Sequence, residues 1–134
     1  MKIRTAAMTD AELLLQHDHH ISGQELESII RLGRVYIAEH ENGFAGWLRY
    51  GLFWDNTPFM NMLYLLEDFR RQGFGTELMR FWEGKMGKAG YGFVMTSTAS
   101  NECAQHFYYR LGYAAVGGFC LEGEPYELLL AKKL

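Results

Sequence analysis

Apolar side chains recur every fourth position at Phe74, Leu78, Trp82 and Met86, the spacing of one helix face packed on a sheet. Leu26, Ile29 and Ile30 mark a second amphipathic helix that stops near Gly33. It is opened by Ser22-Gly23-Gln24-Glu25, where the serine can cap the Glu25 amide and the glutamate can reach back. Thr9-Asp10 starts a shorter helix over Ala11 to Gln16. Runs rich in β-formers predict strands at Lys2 to Ala6, Arg34 to His40, Phe44 to Trp54 and Phe59 to Leu66. Further strands are expected at Tyr91 to Thr98, near Tyr113 to Leu121 and at Tyr126 to Lys132. Glu41-Asn42-Gly43, Asp55-Asn56-Thr57-Pro58 and Glu122-Gly123-Glu124-Pro125 read as turns. Ser100 or Asn101 is expected to cap a last helix that ends at Gly112.

The resulting order is βααβββαβαββ, an α/β (α+β) arrangement. The unit from Phe59 to Thr98 should be a right-handed parallel crossover, which puts one central parallel strand pair inside a mainly antiparallel sheet flanked by helices. The chain has 134 residues without a linker, repeat or low-complexity stretch, so one domain over 1–134 is expected. Apolar residues make up 49% of it, enough for a core without disulfides. A formal charge of −3 argues against a generic nucleic-acid binder. No apolar run approaches a membrane span, and Met1 to Thr5 lacks the apolar stretch of a signal peptide. Two unpatterned cysteines suggest no disulfide framework. A cytoplasmic enzyme domain is the expectation.

Arg70-Arg71-Gln72-Gly73-Phe74-Gly75-Thr76 stands between an expected strand and an expected helix. Two glycines one residue apart let the backbone curl and approach a ligand closely. Amides of the curl and of the first helical turn have no partners within the helix, and the helix dipole adds positive potential. Together they suit a phosphate or pyrophosphate. The third glycine of a dinucleotide fingerprint is missing, its place being Leu78, and Gly-Lys-Ser/Thr occurs nowhere. A tight turn with arginines in solvent is the plain alternative.

Downstream lies Asn101-Glu102-Cys103-Ala104-Gln105-His106-Phe107-Tyr108-Tyr109-Arg110-Leu111-Gly112-Tyr113. In this order and at this distance the two segments resemble the GNAT superfamily of N-acetyltransferases. Arg70, Gly73 and Gly75 match that family's Gln/Arg-x-x-Gly-x-Gly/Ala. Asn101, Ala104, Phe107, Tyr108, Leu111, Gly112 and Tyr113 match its later motif.

The resemblance implies a GNAT-like fold and acetyl transfer from acetyl-coenzyme A to a primary amine of a small molecule or peptide. It implies that Leu63, Tyr64 and Leu65 offer backbone groups to the pantetheine arm, the Leu65 amide polarising the thioester carbonyl. Amides from Arg71 to Thr76 (Arg71, Gln72, Gly73, Phe74, Gly75, Thr76) would hold the pyrophosphate, with Arg70 beside them. Asn101 would bond the cofactor arm, and Tyr108 would be the general acid, a phenol still protonated when the thiolate leaves. A core tyrosine packed among Phe107, Tyr109 and Tyr113 is the other reading of Tyr108.

Where some relatives carry a strand glutamate as base, this chain has Thr96. Glu25, Asp55, Glu102 or a water relay remain as alternatives, none of them named catalytic. That gap leaves open a non-catalytic acyl-coenzyme A binding or sensing domain. His17-Asp18-His19-His20 invites a metal reading, but neighbours along a chain rarely converge on one ion, so no metal is expected and a polar helix end bordering the acceptor pocket is preferred. Cys103 and His106 are three apart on a helix, yet a small packed thiol is the expectation. Trp54, Asp55 and Phe59-Met60-Asn61 either line the acceptor pocket or finish the core. An exposed final strand would permit a homodimer.

Overall fold

In the computed structural model, which describes residues 1–41 and 43–134, seven strands form one sheet in the order β1-β2-β3-β4-β5-β7-β6. They are β1 (Lys2–Thr5), β2 (Val35–His40), β3 (Gly43–Phe53), β4 (Thr57–Leu65), β5 (Phe93–Ala99), β6 (Ala114–Phe119) and β7 (Glu127–Lys133). The helices are α1 (Ala11–His17), α2 (Gly23–Arg31), α3 (Phe74–Lys88) and α4 (Ala104–Arg110). The element order is the expected one. β4 and β5 are parallel and pair at Phe59↔Met95 and Met60↔Thr96, whereas β1–β2, β2–β3, β5–β7 and β6–β7 are antiparallel.

Contacts gather into two units, Met1–Gly51 with Met62–Leu78, and Leu52–Asn61 with Met79–Leu134. In the first, Leu14 of α1 and Leu26 and Ile30 of α2 bury against Val35, Ile37 and Trp47 of the sheet. The spacing of Leu26 and Ile30 puts both on one face of α2, and Ile29 packs at its margin. Ser22 Oγ accepts the Glu25 amide at 3.2 Å, satisfying one donor of the first turn. In the second, Trp82 and Met86 of α3 are buried, as are Val94 of β5 and Leu130 of β7. Glu83 is buried there too, bonded by the Tyr113 hydroxyl at 2.8 Å and the Lys132 ammonium at 2.9 Å.

Several sequence expectations are corrected. The turn before β4 sits on Trp54 and Asp55, both left-handed (φ 55° and 62°), with the Asn56 amide returning to the Phe53 carbonyl. That closes the hairpin early, so Thr57 and Pro58 belong to β4. Neither Ser100 nor Asn101 caps α4: the chain first turns through Ala99–Glu102, and Cys103 is the cap residue, without a side-chain bond. The Gln105 amide secures that turn by donating to the carbonyls of Ser100 (2.8 Å) and Glu102 (3.0 Å). Cys103 is exposed rather than packed. The final strand is no edge, since β7 lies between β5 and β6, and β6 is the outer strand. The expected turn at Glu41-Asn42-Gly43 falls on Asn42, outside the described residues.

Candidate active site

β4 runs past its pairing with β5 to Leu65, and its end is held on the β3 side by the Leu66 amide bonding the Ala45 carbonyl at 2.8 Å. Gly46 of β3 lies so near that a methyl group there would collide with the Tyr64 carbonyl and Leu65. A 3-10 turn over Glu67–Phe69 then leads into the glycine segment.

In that segment Arg71 (φ 61°) and Gly73 (φ 84°) are both left-handed. Left-handed residues in a short run curl the backbone into the concavities that bind anions. Nothing stands within 4 Å of where a Gly73 Cβ would be, so the space above it is open. The 15-residue α3 begins at the next residue, Phe74, its first bond closing from the Glu77 amide to the Gly73 carbonyl at 3.0 Å. Phe74 is braced from below by rings of His40 (5.3 Å) and Phe69 (6.4 Å). The Gln72 side chain donates to the Asp68 carbonyl at 2.8 Å. Arg70 donates to the Leu65 carbonyl at 2.9 Å and lies 5.0 Å over the Tyr64 ring. Open space, free helix-start amides and two arginines fit a pyrophosphate.

Beside β4 the same unit has a cavity of about 210 Å³ lined by His17, Asp18, His19, His20, Trp47, Met62 and Tyr64. Trp47 packs 5.0 Å from Tyr64 and 6.0 Å from Phe44, and His17 lies 5.1 Å from Phe44. Asp18 is buried, bonded by Arg49 Nε (2.7 Å), Trp47 Nε1 (3.1 Å) and the His20 amide (3.1 Å). Burial alone would raise this carboxyl, but bonds from Arg49, the His20 amide and Trp47 outweigh it and hold the group below the usual carboxylate range. Sequence reading missed this ion pair. Its one signal was an arginine within an apolar strand, Arg49 between Leu48 and Tyr50.

In the second unit Thr96 is buried and donates to the Met60 carbonyl at 2.9 Å. Tyr108, also buried, packs edge-on against Phe107 (5.2 Å) and Tyr113 (5.8 Å), with Thr96 near its hydroxyl. Burial pushes its phenol up to about 12, with the neighbouring Thr96 hydroxyl opposing and the Glu102 charge adding to it. Tyr109 is exposed. Asn101 is exposed, as are Glu25, Asp55 and Glu102, the carboxylates considered as bases. Trp54 and Asp55 occupy an exposed hairpin tip, while Met60 is core. Among the described residues no group of three or more His, Cys, Asp or Glu side chains is set to hold a metal ion.

A strand, a left-handed glycine turn and a helix start in this order have relatives. The profile of the Acetyltransferase (GNAT) domain matches residues 31–115. The chain belongs to the GNAT acetyltransferase family. As a GNAT protein it is an acyltransferase, and acetyl-coenzyme A is the family's acetyl donor. No curated protein sequence matches it.

Among solved structures the GNAT fold recurs in Ard1 from Thermoplasma volcanium, with TM-score 0.84 at 13% identity over 99% of this chain and 97% of that one. The ribosomal-protein-alanine N-acetyltransferase from Brucella melitensis gives 0.80 at 20% identity, with 100% of both chains covered. The yncA protein from Salmonella typhimurium, solved with its cofactor acetyl-CoA, gives 0.79 at 16% identity over 100% of this chain and 94% of that one. No described helix of this GNAT chain is long and apolar enough to cross a membrane.

Proposed function

We propose that this chain is a single cytoplasmic catalytic domain that moves an acetyl group from acetyl-coenzyme A to a primary amine of a small molecule or peptide by direct transfer. The observation that carries the reading is the left-handed Arg71–Gly73 curl, open above Gly73, at the start of α3. When bound, the cofactor supplies an activated acetyl thioester. Amides from Arg71 to Thr76 hold its pyrophosphate, with Arg70 alongside. Backbone groups of Leu63, Tyr64 and Leu65 orient its arm, and the Leu65 amide steadies negative charge developing on the carbonyl oxygen. In the second unit, Asn101 is the residue assigned to the arm and Tyr108 the one assigned to the departing thiolate.

A phenol near 12 gives up its proton less readily than an ordinary one, so hydrogen-bond donation to developing thiolate charge is its main contribution. The Brucella relative, named for ribosomal-protein alanine, supports a peptide amine among the acceptors. Buried Thr96, standing where some relatives carry a base, favours the rival reading of a non-catalytic acyl-coenzyme A sensor. Coenzyme A release from acetyl-coenzyme A across an amine panel separates the two. Amine-dependent release supports transfer, and tight binding without release supports the sensor.

A further inference from the structure

An amine attacks only as its free base, because an ammonium has no lone pair. Thr96 cannot take a proton, and Glu25, Asp55 and Glu102 are exposed surface carboxylates. The cavity beside β4 offers another chemistry. Its wall includes Met62 and Tyr64, which flank Leu63 on the strand proposed to orient the cofactor arm, and the Tyr64 ring also carries Arg70 of the cofactor turn.

Resting on the acetyl-transfer reading above, we propose that this cavity receives the α-amine of a peptide or amino acid and that His17 takes the proton from it. His17 is half-buried and packs against the stacked rings of Phe44 and Trp47 at 5.1 and 6.2 Å, whereas His19 and His20 are exposed. A base held in place acts more effectively than a free one. Imidazole is also the side-chain type that exchanges protons near neutrality.

The lining selects the substrate class. Among the described lining residues Asp18 is the only carboxylate, and Arg49, Trp47 and the His20 amide already occupy it. Among the described lining residues no free counter-ion is left for an ammonium. At pH 7 about one α-amine in ten is free base, against fewer than about one lysine-type amine in a thousand. A volume of about 210 Å³ falls short of the roughly 300–1,000 Å³ of pockets that enclose drug-sized ligands, and suits the end residue of a larger acceptor. In the step, the nitrogen lone pair forms the bond to the acyl carbon and the C–S bond breaks with its electrons staying on sulfur. One N–H proton passes to the His17 imidazole, and the thiolate takes a proton from solvent.

Two peptides of one sequence test this, one with a free N-terminus and dimethylated lysine, the other with a blocked N-terminus and free lysine. With acetyl-coenzyme A and mass spectrometry, the first should be acetylated about 100-fold faster. His17→Gln should lower kcat by about 10²–10⁴-fold with KM for acetyl-coenzyme A unchanged, and the deficit should shrink for acceptors of lower amine pKa. A purely structural histidine would give no such dependence. Should that variant fail to fold, the His17 imidazole resonance of the cofactor-free wild type should move with the free-N-terminus peptide and not with the blocked one. Preferred lysine acetylation, equal rates, unchanged turnover in His17→Gln or an unmoved imidazole would overturn the inference while leaving acetyl transfer standing. Failure to bind acetyl-coenzyme A in a thermal-shift assay would sink both.

Discussion

Asp18 and Arg49 form a buried ion pair, Oδ2 to Nε at 2.7 Å, and the same carboxylate accepts the His20 amide at 3.1 Å. One interaction therefore fixes both β3 and the histidine loop that follows α1. Removing one partner strands a buried charge, so Asp18→Ala should cost about 3–5 kcal/mol in urea unfolding. Replacing both with leucine should cost much less, and a double-mutant cycle measures the difference.

The same pair sets an acid limit. The Asp18 carboxyl lies lower in the folded chain than in the unfolded one, so its stabilisation is present above the unfolded value of about 3.9 and is lost as pH falls through the folded value. Wild type should lose stability more steeply than Asp18→Asn below about pH 4. Parallel pH–stability curves for the two would remove this pair as the cause.

Tyr108 should show itself at both ends of its chemistry. Tyr108→Phe removes an oxygen but keeps the ring against Phe107 and Tyr113, so kcat should fall by about 10²–10⁴-fold with little change in cofactor affinity. Its phenol is raised to about 12 from an unfolded value near 10, so stability present below pH 10 is lost as pH climbs toward 12. That alkaline loss should diminish in Tyr108→Phe. Exposed Tyr109→Phe should change neither quantity.

At the turn proposed to hold the pyrophosphate, Gly73→Asn separates fold from ligand. Asparagine tolerates the left-handed backbone, so stability should change by no more than about 1 kcal/mol, while its side chain fills the open space. Acetyl-coenzyme A affinity should drop about tenfold or more by calorimetry, roughly 1.4 kcal/mol. Arg71→Gly should relieve the strained φ of 61° and still weaken binding.

Elements and the left-handed glycine turn before α3 were legible in the sequence because their signals are local. Leu78, Trp82 and Met86 repeat at helical spacing, and Gly73 is the residue its φ of 84° requires. Pairings distant in the chain were not. Nothing local tells that β7 enters between β5 and β6, or that Asp18 reaches Arg49 across 31 positions. The cap of α4 was misplaced because Asn101 satisfies a cap pattern, while Gln105, a feature of no capping rule, decides the turn by bonding two of its carbonyls. The histidine segment read as a polar helix end bordering the acceptor pocket, but the cavity it lines was not legible, because Trp47 and Tyr64 of other elements complete it.

Acetyl transfer itself is tested most directly by incubating the protein with acetyl-coenzyme A labelled in its acetyl group and a peptide bearing a free amine. We expect the label on the amine nitrogen with one coenzyme A released per acetylated peptide, and a fall in both in Gly73→Asn when acetyl-coenzyme A is below saturation. Tight cofactor binding with no coenzyme A released by any amine would contradict it.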